Sequence, residues 1–149
     1  MRYAVASDHA GYSLKEFVKQ RLLEYGHEIV DYGAKSEAPC DYPDHGRPAA
    51  EAVSRGHCDR AILVCGTGIG MSIVANKVSG VLAALCSSGV QAEFSRRHNN
   101  ANVLVMGGWL VGKLEAEEIL ERWLKAEFEG GRHARRVAKI EGNGGVLGG

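Results

Sequence analysis

Short apolar runs alternate along the chain with stretches whose apolar residues recur every three or four positions, the pattern of parallel strands linked by crossover helices. The β-prone runs fall near Tyr3–Ser7, Glu28–Tyr32, Ala61–Cys65, Val81–Cys86 and Val103–Met106, which predicts five strands. Between the first two, Leu14, Phe17, Val18, Leu22 and Tyr25 keep helical spacing, with Ser13 placed to cap the start and Gly26 to end it. A second helix is expected from about Tyr42 to Arg55, with Asp41 as N-cap and Pro43 in its first turn, and a short one from Met71 to Asn76. Leu114, Ile119, Leu120, Trp123 and Leu124 predict the buried face of the last long helix, and Gly130-Gly131 its stop.

The fold class that follows is α/β: a single Rossmann-like three-layer domain with a five-stranded parallel sheet over residues 1–141. The glycine-rich residues 142–149 read as a flexible tail. At 149 residues the chain buries roughly two-thirds of its unfolded surface without help from disulfides. Cys40, Cys58, Cys65 and Cys86 form no C-x-x-C pair and have no paired histidine spacing, so reduced thiols in a cytoplasmic protein are expected, and no structural zinc. Tyr3-Ala4-Val5-Ala6 has neither the charged lead nor the long apolar core of a signal peptide or membrane span. Eighteen basic and eighteen acidic residues balance, so no overall field draws the protein to nucleic acid or to an anionic membrane. Any anion must be captured locally.

One segment suits that task. The run Ala61-Ile62-Leu63-Val64 passes directly into Cys65-Gly66-Thr67-Gly68-Ile69-Gly70 and then into the short helix. Three alternate glycines let backbone N–H groups converge on an anion at a helix start. A dinucleotide fingerprint would want its third glycine where Met71 stands and an acid where Ser87 and Ser88 stand, and a nucleotide phosphate loop would want a glycine-lysine pair. On its own the loop is either close strand-to-helix packing or an anion cradle. Cys65 stands where a strand hands over to a helix N-terminus, a position that can aim its sulfur at a bound ligand.

Further motifs narrow the reading. Ser7-Asp8-His9-Ala10-Gly11, Asp41-Tyr42-Pro43, the glycine loop with Ala75-Asn76-Lys77, His98-Asn99-Asn100-Ala101-Asn102, and Gly130-Gly131-Arg132-His133 with Arg136 resemble, in order and spacing, ribose-5-phosphate isomerase type B. The superfamily also holds galactose-6-phosphate isomerase subunits and allose-6-phosphate isomerases. The resemblance implies that Cys65 is the base moving a proton between C1 and C2. The amides of Gly66, Thr67, Gly68, Ile69 and Gly70 would hold the enediolate oxygens, and no metal or organic cofactor would be needed. A second branch of the family carries a glutamate where Met71 stands and lacks the cysteine, so this chain resembles the cysteine branch.

By the same resemblance His98 opens the sugar ring, assisted by Asp8 and Thr67, while Asn99 orients hydroxyls and Tyr42 contacts the sugar. His9, Arg132 and Arg136 bind the phosphate. A homodimer or dimer of dimers with shared active sites is implied. Taken without the family, His98 is equally a helix-end histidine, His9 a turn cap and the arginine run a solvated face.

The chain departs from the family pattern at two positions. Trp109 replaces an arginine that commonly binds phosphate, and Leu82 one often found in the fourth strand. Lys113 or Arg47 could compensate, phosphate binding could weaken, Trp109 could stack on a sugar, or it could pack at a subunit interface. The expected function is interconversion of ribose 5-phosphate and ribulose 5-phosphate. The alternatives are another aldose (allose 6-phosphate, galactose 6-phosphate or a free sugar) and a non-catalytic phospho-sugar sensor.

Overall fold

The computed structural model describes residues 1–140, so the expected tail at 142–149 lies outside the described residues. The five strands form as expected: β1 Arg2–Ser7, β2 Glu28–Asp31, β3 Arg60–Cys65, β4 Ala83–Leu85 and β5 Val103–Gly107. All pair in parallel, in the order β2-β1-β3-β5-β4. Six helices accompany them: α1 Tyr12–Glu24, α2 Tyr42–Ser54, α3 Ile69–Asn76, α4 Gly89–Asn99, α5 Lys113–Lys125 and α6 Arg132–Ile140.

The two-residue period of the strands sorts the core into two faces. Tyr3, Val5, Ile62, Val64, Leu104 and Met106 pack with α1, α4 and α5, through Leu14, Val18, Leu22, Ala92, Ile119, Leu120 and Trp123. The alternate residues Ala4, Ala6, Ala61, Leu63, Cys65, Val103 and Val105 pack with α2 and α3. Three layers result. The second face is rich in alanine on both sides, including Ala49, Ala50, Ala52 and Ala75, so α2 and α3 lie close over the sheet. None of the described helices is long and apolar enough to cross a membrane.

Several expected details differ. The N-cap of α1 is Gly11 rather than Ser13, which lies exposed in the first turn; the Asp8 carboxylate accepts the Gly11 N–H at 3.0 Å instead. Gly26 does follow the end of α1, at φ +88°. Leu114 is 86% exposed, because it stands about 200° around the helix from Ala116, which with Ile119, Leu120 and Trp123 makes the buried stripe of α5. That helix ends at Lys125, and Gly130-Gly131, both left-handed, instead turn the chain into α6. β4 begins at Ala83, so Leu82 precedes the strand, its N–H held by Asn102 Oδ1 at 2.8 Å.

Charge is also buried, most completely at Lys15. Lys15, 1% exposed, reaches from α1 to the end of β2, where its ammonium lies 3.0 Å from Asp31 and also donates to the Ala34 carbonyl. Burial would raise the Asp31 carboxyl, but hydrogen bonds from Lys19, the Gly33 N–H and Lys15 outweigh it and hold the group below its ordinary value. The stabilisation is therefore present above the ordinary carboxylate range and is lost as pH falls through the lowered value. Lys15→Met leaves that carboxylate and the Ala34 carbonyl short of a partner. Urea denaturation at neutral pH should show a loss of roughly 3 kcal/mol, and a neutral or stabilising outcome would mean that the ion pair contributes nothing net.

Candidate active site

The chain runs from β1 outward to β2 and then back past β1 to β3, so the sheet order reverses between β1 and β3. Open α/β sheets form their crevice at the carboxyl ends of such neighbours. Here those ends are Ser7-Asp8-His9 and Cys65-Gly66.

Glycines allow the loops to close in. A Cβ on Gly11 would fall 2.5 Å from the Val64 carbonyl oxygen, one on Gly107 would fall 2.6 Å from that of Thr67, and one on Gly108 would fall 2.9 Å from that of Ala10. Gly68, the N-cap of α3, adopts φ +83°, which turns the chain into the helix with little cost only for glycine. The first N–H groups of α3 have no intrahelical acceptor. That of Ile69 donates to Thr67 Oγ1 at 3.2 Å, which leaves those of Gly70 and Met71 facing the loop. Cys65, where the loop leaves β3, is 4% exposed.

Neighbours complete this end. Tyr42, at the start of α2, lays its ring against Gly70, where a Cβ would meet it at 2.6 Å. The Cys40 N–H donates to His9 Nδ1 at 3.2 Å, so in the neutral ring the proton sits on Nε2. Met71, where the other branch has glutamate, is fully buried with its sulfur against Gly46, and so belongs to the core. The Trp109 backbone N–H donates to the Gly66 carbonyl at 2.9 Å and its ring spreads over Gly66, yet the residue remains 72% exposed. Asp8, His9, Tyr42, Cys65, Gly66, Thr67, Gly68, Ile69 and Gly70 thus gather at one pole of the sheet.

The other expected residues do not join them. α4 starts after β4 at Ser88 and runs back, so His98 and Asn99, at its C-terminus, lie by the amino end of β5. Asn102 there accepts from Ala61 at the start of β3. A strand length separates that pole from Cys65, roughly 16 Å. Arg132 and Arg136 on α6 share the His98 end, because the ring of His133 between them stacks on His98 with centroids 4.0 Å apart. Both arginines are exposed. The expected site residues therefore fall into two half-sites at opposite poles of the sheet.

Sequence reasoning quotes His133 within a motif but gives it no role, and it does not single out Glu129. Glu129 Oε1 lies 3.6 Å from Nε2 of both His98 and His133. The only signal was the four-residue spacing of Glu129 and His133 beside the quoted Arg132.

Comparison with known proteins fits this geometry. The model of the ribose/galactose isomerase family matches residues 3–140. Ribose-5-phosphate isomerase B of Escherichia coli K12 is 44% identical over 139 residues, 93% of each chain. The solved structure of ribose-5-phosphate isomerase B from Clostridium thermocellum superposes with a TM-score of 0.94 at 48% identity, covering 99% of this chain and 97% of that one. That of the Mycoplasma genitalium enzyme with bound ribulose 5-phosphate gives a TM-score of 0.89 at 43% identity over 93% of each chain.

Proposed function

This chain belongs to the ribose/galactose isomerase family, and from that premise we propose that it interconverts ribose 5-phosphate and ribulose 5-phosphate through an enediolate. The observation that carries the reading is Cys65, buried at the end of β3 where the glycine loop leads into the open amides of α3. In the aldose-to-ketose direction the Cys65 thiolate takes the C2 proton. The electron pair of the C1 carbonyl moves to O1, and the α3 amides stabilise the charge that develops. The C2–H electron pair forms the C1=C2 bond, the O2 hydroxyl proton then passes to O1, and the thiol returns its proton to C1 as O2 becomes the carbonyl oxygen and O1 the hydroxyl. His98 opens the ring with Asp8 and Thr67, Asn99 and Tyr42 orient hydroxyls, and His9, Arg132 and Arg136 hold the phosphate. The four cysteines, all free among the described residues, suit a cytoplasmic enzyme.

The separation of the half-sites supports a homodimer in which the Cys65 pole of one protomer meets the His98 pole of its partner. The test begins with purified protein and ribose 5-phosphate, which should yield ketose. Absence of turnover would end the reading. Cys65→Ala and His98→Ala should each be inactive alone, yet mixing them under subunit exchange should restore roughly a quarter of the wild-type rate, since half the dimers then hold one intact site. No recovery in a verified mixed dimer would show that the site lies within one chain.

Trp109 supports a second reading, preference for another aldose phosphate or a free sugar, because its exposed indole lies over Gly66 at the position where the sequence resemblance implies a phosphate-binding arginine. Comparing kcat/KM across phosphorylated and free sugars decides between them.

A further inference from the structure

His98 is held more firmly than a helix-end histidine needs to be. Phe94 meets its ring edge-on at 4.8 Å, and His133 stacks on it with planes 7° apart. Glu129 stands at the edge of both imidazoles. It is itself anchored twice to the residue before His98: its N–H donates to the Arg97 carbonyl at 2.9 Å, and Arg97 Nε donates to Oε2 at 2.6 Å. This leaves Oε1 facing the two Nε2 atoms at 3.6 Å each. His133 is 5% exposed, and among the described residues its Nε2 has no hydrogen-bond partner.

Two simpler readings fall short. An Arg97–Glu129 pair that merely ties α6 to α4 would not need an orphaned, buried imidazole beside it. A metal site is suggested by the donor atoms of His98, Glu129 and His133, all within 4.8 Å of one another. Rings stacked in parallel, however, send their lone pairs side by side rather than to one point, whereas tetrahedral zinc wants donors roughly 3.3 Å apart and converging. Arg97 also already occupies the carboxylate.

We infer that Glu129 is a positioning residue for ring opening, holding the His98 imidazole against His133 and supplying the countercharge while His98 carries a proton in transit. This rests on the ribose 5-phosphate reading above. In the step concerned, the O1 hydroxyl proton moves to His98, the C1–O4 bond breaks with its electron pair passing to O4, and the C1=O1 bond forms. His98 then hands the same proton to O4. One proton has moved and the imidazole is regenerated.

The surrounding charges suit a transient imidazolium. The hydrogen bond from Arg97 holds the Glu129 carboxyl below its ordinary value, so it stays ionised. Burial, reinforced by His98, holds His133 below the ordinary imidazole value, so His98 stacks on a neutral ring rather than on a second cation. Arg132 and Arg136 also lie near His133, which leaves Glu129 as the acid facing the pair.

Ring opening can be read apart from isomerisation. In Cys65→Ala protein the C1–C2 proton transfer is blocked, and enzyme-catalysed exchange between the α and β furanose anomers of ribose 5-phosphate, measured by NMR exchange spectroscopy, reports ring opening alone. The Cys65→Ala protein should accelerate this exchange over the free sugar. The added Glu129→Gln change should cut the acceleration roughly tenfold, with ribose 5-phosphate affinity and Tm unchanged. Equal acceleration in the two proteins overturns the inference, as does a loss that tracks weaker binding. So does a Cys65→Ala protein that accelerates nothing while wild type forms ketose. If wild type forms no ketose from ribose 5-phosphate, it is the underlying functional reading that fails.

Discussion

Cys65→Ala is expected to lower kcat for ribose 5-phosphate isomerisation by roughly 10³-fold or more while leaving the fold in place, since general acid–base catalysis by one positioned group is worth about 10²–10⁴. Removing the sulfur deletes the group to which this reading assigns the carbon-bound proton, at the end of β3 where the loop into α3 begins. The structural cost is small by comparison. Cys65 is a small side chain on the alanine-rich face, and loss of its sulfur leaves a cavity costing on the order of 1 kcal/mol. Binding should survive as well, because the phosphate and hydroxyl contacts lie elsewhere; KM should move little while kcat collapses. Cys65→Ser sharpens the test, for a hydroxyl of similar shape has far too high a pKa to replace a thiolate. A serine variant within tenfold of wild type would show that the proton is moved by another group.

The parts of the fold that sequence made legible are those governed by period. Strand alternation gave the five strands within a residue or two, and the run of glycines after Cys65 marked the strand-to-helix turn. What stayed hidden depends on three-dimensional approach. Nothing local marks Gly11 and Gly107 as places where a methyl group would strike a neighbouring carbonyl, because Val64 and Thr67 come from other strands and loops. Lys15 falls in the helical spacing beside Leu14 and Val18 as an ordinary polar position, and only the end of β2 with Asp31 makes it buried. Leu114 was assigned to the buried face on hydrophobicity, although its angle around α5 excludes it. For the candidate site, sequence offers a set of residues and no arrangement. Motif order along the chain carries no sign that His98 and Cys65 sit at opposite ends of the sheet, since that follows from α4 running back along it.

Gly107→Ala is the second large effect, and it acts through the scaffold. The residue closes β5 opposite Cys65, and its φ is not in the left-handed region, so alanine would meet no intrinsic backbone penalty there. The obstacle is external: the new methyl carbon would lie 2.6 Å from the Thr67 oxygen, 2.7 Å from its carbonyl carbon and 3.1 Å from the Gly66 oxygen. All three are backbone atoms of the loop after Cys65, so no side chain can rotate aside; either β5 or the loop must move by something near an ångström. Overpacking of this kind costs roughly 1–3 kcal/mol, which should lower Tm by about 5 °C for a chain of this size. A displacement of about 1 Å in a proton-transfer geometry costs on the order of 10²-fold in rate, so kcat/KM should fall by about that factor although no reacting group has been touched. Gly112→Ala is the control, because the nearest atom to its added carbon is Glu115 Oε1 at 3.9 Å. Activity retained in both would show that the loop after Cys65 tolerates displacement, and that close approach of β5 is not what holds the amides of α3 in register with the thiol.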